Sequence, residues 1–121
     1  MTTKCKMRSM PSANCHVEIE RDSNSSRLVR ISLVSYSSEV IRIYPDENDI
    51  WFADLVDCAV NYSPTTARHV NRFTTEFFGE NLYHTFKKYD FEHPMPYVVE
   101  QYNNSIVTAV QWYENNGKKI Y

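Results

Sequence analysis

Glycine is scarce in this sequence, and its scarcity excludes one group of enzymes. The chain has 121 residues and only two glycines, Gly79 and Gly117. Glycines so far apart cannot form a G-x-G-x-x-G turn or a Walker-type phosphate loop, because each of these loops needs two or more glycines within a few residues. Nucleotide-dependent enzymes of those types are therefore excluded.

Long apolar runs are also missing. No stretch approaches the ~20 apolar residues that a membrane-spanning helix needs. Lys4, Lys6 and Arg8 stand near the N-terminus, but no apolar run follows them, so we expect no secretory signal. The sequence predicts a cytoplasmic protein with no membrane partner.

Paired cysteines and metal-binding motifs are absent from the sequence as well. The three cysteines, Cys5, Cys15 and Cys58, form no C-x-x-C pair, and the four histidines form no H-E-x-x-H motif. Cys15 and His16 are adjacent, but neighbours on a strand point to opposite faces and cannot easily converge on one metal ion. We therefore expect three free thiols, no metal site and no cofactor.

The composition is that of a small globular domain. Hydrophobic residues make up 42% of the chain and charged residues 23%, with a formal net charge of −2. That charge gives no net attraction to a nucleic-acid polyanion. Nine tyrosines, six phenylalanines and two tryptophans exceed what a small core needs, and exposed tyrosine is common at protein interfaces.

The first half of the chain carries a β pattern. Residues 1–14 lack periodicity and are interpreted as an extended N-terminal arm, followed by one domain over residues 15–121. Alternating apolar and polar residues predict an antiparallel meander of three to four strands. The predicted strands cover residues 15–20, 28–36, 39–44 and 50–61.

The second half carries a helical pattern. Ser63 is a helix cap, Pro64 fits the first helical position and Gly79 fits the left-handed position that ends a helix, so a helix is predicted over residues 63–78. A shorter helix is predicted over residues 80–89. The apolar stripe of the first helix contains Ala67, Val70, Phe73, Thr74 and Phe77.

Residues 97–115 allow two readings. Apolar residues recur there at helical spacing, which favours a helix, whereas many β-branched residues leave a β-hairpin through Asn103 and Asn104 as the alternative. The predicted fold is therefore α+β, with two or three helices packed on one face of the meander.

One run of acidic residues is the clearest surface feature. Asp46, Glu47, Asp49, Asp54 and Asp57 stand with no basic residue between them. Their spacing does not match a Ca²⁺-binding loop, which needs a glycine at the turn and a closing glutamate. The run predicts a solvated hairpin that could offer a negative patch to a basic groove.

Basic residues suggest a second type of partner. Arg68 and Arg72 lie near a helix start at a spacing that lets both bind one phosphate, and His69 lies between them. The basic arm could add to the same positive surface. These residues point to nucleic-acid binding as the alternative. No G-x-S-x-G motif occurs and Cys58 lies in an apolar context, so we expect no enzymatic activity.

Two segments carry a family resemblance. LVSYSSEV at residues 33–40 and YSPTTARH at residues 62–69 resemble small proteins encoded by bacteriophages and prophages. Those proteins have a leucine-x-serine-tyrosine strand pair and a tyrosine-serine-x-threonine-threonine-x-x-histidine helix start. The resemblance covers about a third of the chain and implies a phage origin and a sheet-then-helix unit, with no assigned activity.

Phage accessory proteins of this size commonly bind and block a host machine. We therefore expect a non-enzymatic inhibitor of a host protein or protein–nucleic-acid complex, such as a CRISPR–Cas effector nuclease. A nucleic-acid-binding accessory module and a structural protein of the virion are the alternatives. The candidate partner-binding residues are Asp46, Glu47, Asp49, Trp51, Asp54, Arg68, Arg72 and Tyr83.

Overall fold

The protein is an α+β domain built on an antiparallel sheet. The structure, a computed structural model, describes residues 1–55, 63–81, 97–98 and 103–120. In chain order its elements are β1 (Thr2–Lys6), β2 (Cys15–Arg21), β3 (Leu28–Ser35), β4 (Ser38–Pro45), β5 (Trp51–Leu55), α1 (Pro64–Phe78), β6 (Tyr97–Val98) and α2 (Asn103–Asn116). The strands lie in the sheet in the same order as in the chain, as a meander does.

The α+β class is confirmed, and the sheet has more strands than predicted. Five longer strands and the two-residue β6 replace the expected three or four. The predicted helix over residues 80–89 falls almost wholly outside the described residues, as does the part of the fourth predicted strand beyond Leu55.

Residues 2–6 belong to the sheet, although the sequence was interpreted as a separate arm. Cys5 pairs with Val17 on β2, and Cys5 is completely buried. The chain end covers the other edge of β1, where Lys6 N–H donates to Lys118 O at 2.9 Å and Ile120 N–H to Lys4 O at 2.8 Å. Alternation puts the lysines of β1 on one face and Cys5 on the other, so the segment lacks a long apolar pattern.

The register of the sheet separates a core face from a polar face. Val17, Leu33 and Ile41 form one row across β2, β3 and β4, and all three are fully buried. Glu18, Ser32 and Arg42 form the neighbouring row on the opposite face. This is the pattern of an antiparallel sheet with one packed face and one polar face.

Helix α1 begins and ends where the sequence predicts. Ser63 Oγ accepts from Thr66 N–H at 3.2 Å, Pro64 opens the helix, and Gly79 at φ 79° ends it by donating to Thr75 O. The buried residues of α1 repeat at helical spacing and pack on the core face of the sheet. They are Thr66, His69, Val70, Phe73, Thr74, Phe77 and Phe78.

The second half of the molecule contains a strand and then a helix. Tyr97 and Val98 pair with Ala53 and Phe52 on β5, so the helix begins later than the apolar spacing suggests. Residues 103–116 are helical, which confirms the favoured reading over a hairpin for this segment. Tyr113 of α2 stacks on Phe77 of α1 with ring centroids 5.7 Å apart, which joins the two helices.

Cys5 and Cys15 are buried and free, as predicted, and Cys58 lies outside the described residues. The register explains why the first two are not bridged: Cys5 faces Val17, so Cys15 lies two positions further along β2. Burial, with a further contribution from the charge of Glu76, raises the pKa of Cys15 to about 11. Within the described ranges, neither helix has the length and apolar character needed to cross a membrane.

Candidate functional site

The predicted acidic hairpin is present, and its first acid, Asp46, closes the turn by hydrogen bonds. One carboxylate oxygen of Asp46 accepts from Asn48 N–H at 2.8 Å and from Ile50 N–H at 2.9 Å. Asp46 N–H also donates to Ile50 O at 2.8 Å, which closes the loop. Asp46 is therefore a structural residue of the turn, and Glu47 and Asp49 carry its exposed carboxylates.

A second loop packs beside this hairpin. Arg27, in the β2–β3 connection, donates to Asp46 O at 2.9 Å and to Asp49 Oδ1 at 2.7 Å. Asp22 closes that connection by accepting from Asn24 and Ser25 N–H, and these backbone hydrogen bonds lower its pKa. We call residues 22–27 and 46–50 together the loop end of the sheet.

The loop end is acidic despite its internal ion pair. Its side chains supply four carboxylates, those of Asp22, Asp46, Glu47 and Asp49, against the one guanidinium of Arg27. Two cations from outside the loop end lie near it, because Arg21 donates to Ser26 O at 2.9 Å and the N-terminal ammonium adds to the backbone hydrogen bonds that lower the pKa of Asp22. The side chain of Asp49 remains 78% exposed while it is paired. A hollow of about 340 Å³ lies between the two loops. The arrangement can bind a cationic surface, and neither loop has to become ordered on binding.

One predicted contact residue, Trp51, lies away from this surface, and two others are not described well enough to be placed on or off it. Trp51 is only 8% exposed and packs in the core, because it shares the helix-covered face with Ala53. Asp54 pairs with Arg42 in the sheet, but its side chain is not described. Tyr83 lies outside the described residues.

The basic residues do not form one surface. Arg68 and Arg72 are exposed on α1, which packs on the core face of the sheet. Lys4 and Lys6 point to the opposite face, because they alternate with the buried Cys5 along β1. A phosphate backbone following one path could not contact both pairs, which weakens the case for nucleic-acid binding.

His69 does not join these arginines but turns into a buried polar cluster. Its Nδ1 lies 2.9 Å from Ser35 Oγ, and Ser35 Oγ lies 3.3 Å from Thr66 Oγ1. Burial lowers the pKa of His69 below its ordinary value, and the charge of Arg68 lowers this pKa further. The cluster fastens α1 to β3 and joins LVSYSSEV to YSPTTARH, a long-range contact that the sequence pattern did not reveal.

The buried histidine predicts a loss of stability in mild acid. The unfolded chain binds a proton at the ordinary pKa of His69, whereas the folded chain binds it only at lower pH. We therefore expect the free energy of unfolding to fall between about pH 7.5 and pH 5.5. Urea titrations should show this slope in the wild type and in His16→Gln. An equal slope in His69→Gln would contradict the assignment.

A cleft of about 680 Å³ between α1 and α2 is a feature that the sequence analysis missed. At one end the carboxylate of Glu76 accepts from the hydroxyl of Tyr113 and from Ser9 N–H at 3.2 Å. Arg8 N–H donates to Tyr113 Oη at 2.9 Å, and the guanidinium of Arg8 lies over the ring of Trp112. These groups bind one another, so they fasten residues 8–9 to the helices.

Comparison with known proteins adds no assignment. No protein-family model, no curated protein and no solved structure matches the chain.

Proposed function

We propose that the chain is a non-enzymatic protein that binds and inhibits a host protein machine through the loop end of its sheet. The target class is a nucleic-acid enzyme with a cationic channel, such as a CRISPR–Cas effector nuclease. The observation that carries the proposal is the concentration of four carboxylates against one guanidinium on two adjoining, hydrogen-bonded loops. A rigid acidic projection is complementary to a channel that otherwise holds phosphates.

The internal hydrogen bonds of the loop end support this use. Asp46 holds its hairpin closed, and Asp22 does the same for the neighbouring loop. Loops that are already ordered lose little conformational entropy on binding, so more of their electrostatic attraction is available as affinity. Arg27 leaves the Asp49 carboxylate accessible while it fixes the position of that carboxylate.

The origin of the protein is part of the same proposal. LVSYSSEV and YSPTTARH resemble segments of phage and prophage proteins, and an inhibitor of host defence acts inside the bacterial cell. The resemblance supports a phage or prophage source and a cytoplasmic place of action. It also motivates a defence nuclease as the first target to test.

Neutralising the two exposed acids of the hairpin should weaken inhibition. Bacteria in which CRISPR–Cas systems of several types cleave a transforming plasmid provide the assay. Wild-type protein should restore transformation with at least one type, and Glu47→Gln/Asp49→Asn should reduce that effect about tenfold. Asn tolerates the left-handed backbone of residue 49, so the fold should persist.

Glu80→Gln is the matched control, because it removes an exposed carboxylate at the far end of α1. It should inhibit as strongly as the wild type. Equal activity of the double variant and the wild type would remove the loop end from the mechanism. Failure to protect the plasmid from any CRISPR–Cas type would overturn the nuclease target.

A further inference from the structure

The β3–β4 hairpin ends in an exposed tyrosine with an unusual backbone. Tyr36 and Ser37 form a two-residue turn, and Tyr36 has φ 58° while 57% of it stays exposed. Asn or Gly would serve the left-handed position of such a turn without steric strain. The turn alone therefore does not explain a large aromatic side chain at this position.

Three contacts of the folded chain position Tyr36. Tyr36 N–H donates to Asn14 O at 2.6 Å, and its ring lies 6.1 Å from the ring of His69. The preceding residue, Ser35, is fixed by its hydrogen bond to His69. An aromatic ring supported in this way can bury area in a partner at little cost in conformational entropy.

A hollow lies beside the ring of Tyr36. It has a volume of about 430 Å³, Lys6 and His16 line it, and none of the described residues that line it has a carboxylate side chain. Glu18 does not line the hollow, but its Oε2 lies 2.7 Å from His16 Nε2. Lys6 gives the hollow one positive charge, so the hollow can receive one carboxylate next to the ring of Tyr36.

We propose that the hairpin tip, Tyr36 and Ser37, is a second binding site that takes an acidic segment of a protein partner. A carboxylate of the partner pairs with Lys6, and a neighbouring apolar side chain packs on the ring of Tyr36. This site is independent of the loop end, because β3 runs from the loop end at Leu28 to the hairpin tip after Ser35.

A protein segment fits this hollow better than a nucleic acid does. Binding a phosphate backbone needs many cations along its path, and among the described residues that line the hollow only Lys6 carries an ammonium or guanidinium group. Glu39 lies in the same cross-strand row as Lys6 and His16, and its carboxylate already pairs with Arg30 at 3.8 Å and with Arg42 at 3.9 Å. A short acidic peptide needs only one or two ion pairs.

Selection from a phage-displayed random peptide library on the wild-type protein tests the proposal. Enriched peptides should combine Asp or Glu with an aromatic or aliphatic residue. Tyr36→Asn and Lys6→Gln should each weaken the selected peptides about tenfold, whereas Tyr36→Phe should bind like the wild type. Enrichment of no peptide, peptides without acids, or equal binding to Tyr36→Asn would each overturn the proposal.

Two controls separate the site from a folding defect and from nucleic-acid binding. Asn accepts the backbone of residue 36, so the melting temperature of Tyr36→Asn should not fall, and Lys6→Gln tests the same site without changing the turn. A gel shift with a single-stranded oligo-dT should show no complex. An oligo-dT complex that Tyr36→Asn abolishes would assign the tip to nucleic acid and overturn the protein partner.

Discussion

Replacing Phe73 by alanine is expected to lower the free energy of unfolding by about 3–5 kcal/mol. Phe73 is completely buried, and its ring centroid lies 4.6 Å from that of Phe77. Phe77 in turn stacks on Tyr113, so a cavity at Phe73 weakens the contacts that join both helices to the sheet. A loss of this size is a large fraction of the ~5–15 kcal/mol that stabilises a typical domain.

Urea denaturation followed by circular dichroism measures this loss. Arg72→Ala is the neighbouring control, because Arg72 is exposed on the same helix and should change the free energy by no more than about 0.5 kcal/mol. Equal midpoints for Phe73→Ala and Arg72→Ala would show that this face of α1 does not form the core.

Gly117→Ala should also destabilise the fold strongly, by about 1–3 kcal/mol. A Cβ at residue 117 would lie 2.4 Å from Tyr113 O and 2.8 Å from Cys5 Sγ. Tyr113 O accepts from Gly117 N–H at 2.9 Å and from Lys119 Nζ at 2.8 Å, so it cannot easily move away. The substitution separates the chain end from β1, and thermal denaturation should show a lower midpoint.

Gly79 provides a contrast, because glycine is favoured there by the backbone conformation and not by a lack of room for a side chain. A Cβ there would meet no atom within 4 Å, but φ is +79°. In the double variant Cys5→Ala/Gly117→Ala, the free energy of unfolding should therefore fall by less than the sum of the two single losses. In Cys5→Ala/Gly79→Ala, the two single losses should add. Strict additivity in both pairs would show that Cys5 Sγ does not contribute to the clash at Gly117 and would leave Tyr113 O as its only source.

Local signals predicted the parts of the fold that local interactions determine. Ser63, Pro64 and Gly79 act within one turn of their own position, so both ends of α1 could be predicted. Long-range pairing decided the rest. Val98 fits the helical spacing that follows it, but its backbone pairs with Phe52, and no pattern within residues 97–115 indicates that partner.

The candidate site shows the same limit. The acids of the hairpin could be predicted to be exposed, since Pro45 and the acids that follow it indicate a turn. The role of Asp46 as a clamp and the approach of Arg27 depend on two loops that are adjacent only in the folded sheet. Trp51, a candidate contact residue, lies instead on the strand face that the helices cover, and alternation alone does not indicate which face that is.

Competition between the protein and DNA for a purified effector nuclease that it inhibits tests the central claim most directly. Our account predicts that the wild type lowers the amount of DNA bound, that added DNA reverses this effect, and that higher salt weakens it. Glu47→Gln/Asp49→Asn should need about tenfold more protein for the same displacement, and Glu80→Gln should match the wild type. Displacement that is unchanged in the double variant, or direct binding of the DNA by the protein itself, would contradict the account.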